Sequence, residues 1–312
     1  LKIKTAYQIG PDRQIVIPRE ALCRTYGTVI TFDETLKVHY ETDVAQLGTI
    51  EEEGYLFFLN RKQVYINNRA PYLLADRLSD TLGSVLYPLL LLVRFDGVFE
   101  QLINQEDLVE RWKQERPGIA RYYKGAIPEN AIVQMDRLLQ GEEHLKEALK
   151  KDWFCNIFFA GIQGKRAFSY KQEVEMEFPL IPYGPMVRYR AKGDLAARNT
   201  GSKTFVINYK GAPEEERTVA DILNRRPVPM ERHLYGTGAP ATGLLDLTYH
   251  IYHRDHSMRS IRATVVLDSK GADERTVVFE TYHQADADRV LTDAVEVAVP
   301  VKTEKKKRSG IF

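Results

Sequence analysis

Cysteine is scarce in this chain. Cys23 and Cys155 lie far apart, with no Cys-x-x-Cys partner and no histidine at zinc-ligand spacing. Neither a disulfide framework nor a zinc knuckle is indicated, and both thiols are expected to act as small core hydrophobes. A long apolar run is also missing. The most hydrophobic stretch, Val85-Leu86-Tyr87-Pro88-Leu89-Leu90-Leu91-Leu92-Val93, falls well short of the roughly 20 residues that a helix needs to cross a bilayer. The opening residues, Leu1-Lys2-Ile3-Lys4-Thr5, have no signal-peptide core, so a cytoplasmic location is the expectation, although the chain does not begin with Met.

An excess of charge of either sign is absent too. With 44 basic and 43 acidic residues the formal charge is +1, which gives no global field to attract nucleic acid or an anionic surface. The one basic run, Lys302, Lys305, Lys306, Lys307 and Arg308, reads as a solvated terminal segment. No nucleic-acid partner and no membrane span are expected.

The familiar catalytic signatures are missing as well. There is no Gly-x-Ser-x-Gly and no His-Glu-x-x-His. The glycine-rich run Tyr235-Gly236-Thr237-Gly238-Ala239-Pro240-Ala241-Thr242-Gly243 lacks the Gly-Lys-Ser/Thr of a phosphate loop and opens no helix, so it reads as a loop. No cofactor is expected. Two weaker constellations remain. His250, His253, Asp255 and His256 crowd one segment and have the chemistry of divalent-metal ligands. A short-turn meander, however, would place His253 and His283 opposite Ser260 on its middle strand, roughly 10 Å apart, too far to share a tetrahedral ion. His253, Asp255 and His256 stay as weak metal candidates, and the expectation is no metal. Glu173, Glu175 and Glu177 share one strand face. Paired carboxylates can perform acid–base chemistry, but like charges at every second position more often make a wet sheet face. No catalytic residue is assigned.

What is abundant is aromatic and periodic. The chain has 17 Tyr and 13 Phe, and is 44% hydrophobic and 28% charged, as expected of a folded globular protein. Leu36, Val38 and Tyr40 alternate with polar residues, and the segments 54–59 and 63–67 continue the strand signal. Leu73, Leu74, Leu78, Leu82 and Val85 predict an amphipathic helix from Pro71 to about Leu86. A buried strand and an Asp96-Gly97 type I′ hairpin follow. Asn104 is the expected N-cap of a helix broken at Pro117-Gly118. A second helix is expected from Pro128 to Gly141, and a third from Glu142 through Trp153.

Strand patterns return at 173–178, 186–190 and 204–209. A long irregular stretch then runs from about Lys210 to Gly243, with one short helix at Val219 to Leu223. A meander of Leu244–His253, Ser260–Asp268 and Arg275–His283 ends the pattern.

The expected fold is α+β: a curved antiparallel β-sheet with a central helical insertion packed on one face. The expected division is 1–165 and 166–312, meeting near Gly164, Lys165 and Arg166, though one continuous domain fits as well. In outline this order resembles lipid or lipoprotein carriers built from a half-barrel with a helical lid; no motif ties the chain to them and no family is assigned. The expected function is non-enzymatic binding or assembly through a protein partner or self-association. The alternative is a carrier of an apolar small molecule in a cavity between sheet and helices, with Trp112, Trp153, Phe154, Phe158 and Tyr189 as the ligand-contacting aromatics. An enzyme using the 250–256 cluster is the third reading.

Overall fold

The computed structural model describes residues 22–50, 53–162, 172–182, 184–195, 203–236, 238–268 and 274–285. The basic tail, the expected boundary at Lys165-Arg166 and the turn Ser269-Lys270-Gly271-Ala272 lie outside them. The class is α+β, dominated by one large antiparallel sheet of eleven strands. Strands β1 (Leu22–Phe32), β2 (Leu36–Ile50), β3 (Gly54–Ile66), β4 (Leu89–Val93) and β5 (Phe99–Leu102) form one half. Strands β6 (Gln172–Phe178), β7 (Val187–Leu195), β8 (Thr204–Pro213), β9 (Thr242–Tyr252), β10 (Met258–Asp268) and β11 (Arg275–His283) form the other. The spatial order is β5-β4-β3-β2-β1-β11-β10-β9-β8-β7-β6, so among the described residues the sheet is open, with β5 and β6 at its edges. The halves meet where β1 pairs with β11 along Tyr26↔His283 to Phe32↔Val277. The hydroxyls of Thr28 and Thr281 are 3.0 Å apart across that seam, buried.

Helix α1 (Leu74–Val85) links β3 to β4, and α2 (Gln105–Tyr122), α3 (Ala126–Leu138), α4 (Glu142–Lys150) and α5 (Trp153–Phe158) link β5 to β6. Helix α5 is the innermost. Asp152 caps it, accepting from the Cys155 N–H at 3.0 Å. Its Trp153 ring lies 6.5 Å from Phe32 on β1 and 5.9 Å from Phe178 on β6. Those strands are six places apart, about 29 Å in a flat sheet at ~4.8 Å per strand, more than two side chains and an indole span. The sheet therefore bends around α5. Tyr249 on β9 closes the packing by donating its hydroxyl to the Ile157 carbonyl at 3.0 Å.

Several local expectations change. Pro117 does not break α2, which runs through it. Residues 113 to 118 face solvent, so the carbonyl that loses its partner to proline turns to water, while Leu108, Trp112 and Ile119 hold the inner face. Asn104 precedes α2 but its side chain does not cap it. It accepts from the Leu90 N–H at 2.8 Å and donates to the Pro88 carbonyl at 3.1 Å, fastening the start of β4. The Asp96-Gly97 hairpin forms, but Gly97 alone has positive φ, so the turn is not type I′, and the register shifts at Leu92/Val93. The expected third helix is two, α4 and α5. The irregular stretch is shorter than expected, because β8 reaches Pro213 and β9 begins at Thr242. It holds α6 (Val219–Leu223) where expected, and a further helix, α7 (Met230–Tyr235).

Candidate apolar recess

Alternation along β1 puts Leu22, Arg24 and Tyr26 on the face that looks toward α5, and the same rule on β2 puts Val44 and Gln46 beside them. Phe57 joins from β3, Phe158 and Phe159 from the end of α5, His256 and Ser257 from the turn between β9 and β10, and Met258 from the start of β10. Together these residues wall a recess. It is a small cavity of about 40 Å³ with an open mouth. Tyr26 is its pivot. The hydroxyl donates to the Met258 carbonyl at 2.9 Å and the ring meets Phe158 edge-on at 5.1 Å. Phe158 stacks on Phe154 at 4.8 Å and Phe159 meets Phe57 edge-on at 5.3 Å.

Two of the polar lining residues, Arg24 and Ser257, are anchored in place by Asp255. Arg24 pairs with Asp255 at 3.0 Å and donates to the Cys23 carbonyl at 3.1 Å. Asp255 also accepts from the Ser257 N–H at 2.9 Å and hydroxyl at 2.6 Å. Burial works to raise the Asp255 pKa, but the Ser257 hydrogen bonds and Arg24 outweigh it and hold the carboxyl below its usual range. An anion so committed is a weak proton acceptor and a good fastening for the turn.

Of the five aromatics expected to contact a ligand, Phe158 lines the recess and Phe154 backs it. Trp153 packs between Phe32 and Phe178. Tyr189 donates to the Val266 carbonyl at 2.9 Å, and its buried phenol has a raised pKa because of desolvation. Trp112 sits in the helical layer, its indole N–H donating to Asp136 at 2.8 Å beside the bidentate Arg116. Among the wall residues that sequence reasoning did not single out are Leu22, Arg24, Tyr26, Val44, Gln46, Ser257 and Met258. Nothing in the chain links Leu22, Arg24 and Tyr26 to Met258, more than two hundred residues on.

The histidine cluster is arranged differently from the expectation. Opposite Ser260 stand His250 and Tyr282, not His253 and His283, because β9 ends at Tyr252 and the register shifts between Met258 and Ser260. His253 and His256 lie in the turn against the Phe205 ring, at 4.0 and 5.7 Å. Among the described residues no group of three His, Cys, Asp or Glu side chains is placed to hold a metal ion. Glu173, Glu175 and Glu177 lie exposed on the β6 edge opposite Lys192, Arg190 and Arg188, with ion pairs of 3.3, 3.8 and 3.7 Å. Gly243 belongs to β9: a Cβ there would fall 1.9 Å from the Val266 carbonyl oxygen, so strand packing accounts for it.

No helix among the described residues is long and apolar enough to cross a membrane. No protein-family model matches the chain, and no curated protein is significantly similar to it. Among solved structures the chain is similar to lipovitellin, in a structure describing its lipid–protein interactions, at a TM-score of 0.42 and 8% identity. That likeness covers 86% of this chain and 25% of the other, so this chain spans about a quarter of lipovitellin's length.

Proposed function

We propose that this chain is a binding protein that receives an alkyl or aromatic group in the recess between its bent sheet and α5. The observation that carries the reading is the composition of the recess: aromatic and aliphatic side chains from five separate elements make most of its wall, with Arg24, Gln46, His256 and Ser257 as its polar members. The cavity is small, so the group enters end-on, as a chain terminus or a single side chain. Assembly through open strand edges has less behind it. The β6 edge is a ladder of charged pairs, and β5 is four residues long with Glu100 paired to Lys146 of α4. Both are ways of blunting an edge.

Titration calorimetry with straight-chain alkyl alcohols of increasing length is the test. Burial of each methylene is worth ~0.8 kcal/mol, so Kd should fall about four-fold per carbon until the recess is full and then level off. Leu22→Trp, at the half-buried start of β1, should fill the mouth and weaken binding at least ten-fold. An affinity that ignores chain length, or is unchanged by Leu22→Trp, would remove the recess as the site.

A further inference from the structure

The far end of the helical layer exposes apolar side chains where helices begin and end. Tyr72, Leu73 and Leu74 at the start of α1 are 63%, 53% and 55% exposed, and Tyr122 at the end of α2 and Ile127 at the start of α3 are 62% and 78% exposed. The structure brings them together. Arg77, one turn into α1, lies with its guanidinium 5.8 Å from the Tyr122 ring centroid, and α1 packs on both α2 and α3. Leu73 stands at the N-cap of α1 and makes no capping hydrogen bond. Ser, Thr, Asp or Asn there would stabilise the helix by about 1 kcal/mol, so the leucine opposes local stability.

Basic residues flank these side chains along the chain. Over residues 69–77 and 121–129 the chain carries Arg69, Arg77, Arg121 and Lys124 against Asp76 and Glu129. Protruding aliphatic tips, tyrosines and flanking Arg and Lys match the apolar boundary and anionic headgroups of a bilayer surface.

We infer that this end of the helical layer docks the protein on an anionic membrane surface, with Leu73, Leu74 and Ile127 inserted and Arg77, Arg121 and Lys124 held at the headgroups. The inference stands apart from the recess and does not require it. Vesicle flotation tests it, comparing phosphatidylcholine alone with phosphatidylcholine mixed with phosphatidylserine. The wild-type chain should float with the mixed vesicles, and less so as salt is raised. Leu73→Asp with Ile127→Asp should lower partitioning at least ten-fold. Leu73→Asp supplies an N-cap to α1 and Ile127→Asp an acid in the first turn of α3, and each favours its helix, so a lost fold would not explain the result. Arg121→Glu with Lys124→Glu should abolish the preference for anionic vesicles. Absence of flotation by the wild type, or equal flotation by the double-aspartate variant, overturns the proposal. So does a change in that variant's oligomeric state in native mass spectrometry without any vesicle binding, which would make the patch a protein interface. Leu22→Trp should float like the wild type, which separates failure here from failure of the recess.

Discussion

Asp221 has no solvent exposure, yet its carboxylate is fully used. It accepts from the Thr218 N–H at 3.2 Å and hydroxyl at 3.0 Å, from the Glu231 N–H at 3.2 Å and from Arg226 at 3.1 Å. In return Thr218 caps α6 by accepting from the Asp221 N–H at 3.1 Å. One side chain thereby ties α6 to the start of α7. Burial alone would raise its pKa, but the hydrogen bonds from Thr218, Arg226 and Glu231 win and depress it below 3.8. A depressed folded pKa means the stabilisation is complete above about pH 4 and is lost as pH falls through the folded value. Asp221→Asn should therefore flatten the acid side of the stability curve. Asp221→Ala should cost about 3 kcal/mol near neutrality by leaving buried donors unpaired, both read from urea midpoints across pH.

At the scale of elements, α2 shows how burial overrides a local rule. Proline in a helix interior costs roughly 3 kcal/mol, and Pro117 is tolerated because its face is wet and the opposite face holds Leu108, Trp112 and Ile119. Pro117→Ala should restore the missing hydrogen bond and stabilise the protein by about 2 kcal/mol, seen as a higher melting midpoint. A lower midpoint would mean that Pro117 shapes the packing of α2 against α3. The same contest explains what the sequence made legible. Strands β3 and β9 to β11 and helix α1 announce themselves because one face of each is buried, and the period records it. Strand β1 does not: Arg24, Thr25, Gly27 and Thr28 interrupt its apolar positions, and its buried threonines meet polar partners across the sheet, as Thr25 does with Asp43 at 2.9 Å. The break between α4 and α5 was equally hidden, since Asp152 marks it alone. The recess was illegible because its walls meet only when the sheet bends.

For the whole molecule, the β1–β11 seam places the first described strand and the last at the middle of the sheet, with five strands to one side of the junction and six to the other. Hydrogen exchange should be slowest in β1, β10 and β11 and fastest in the edge strands β5 and β6, with one cooperative unfolding transition. If β6 to β11 exchanged as a block independent of β1 to β5, the seam would be a contact between two folding units rather than the centre of one.

The seam also has a consequence for the order in which the protein is made. Thr28 and Thr281 are 253 positions apart, so at roughly 5–20 residues per second a ribosome adds the second about 13 to 50 s after the first. Until then β1 has a neighbour on one side only, and a long row of its amides and carbonyls has no strand to pair with. The finished molecule hides at its centre the surface that was most at risk during its synthesis.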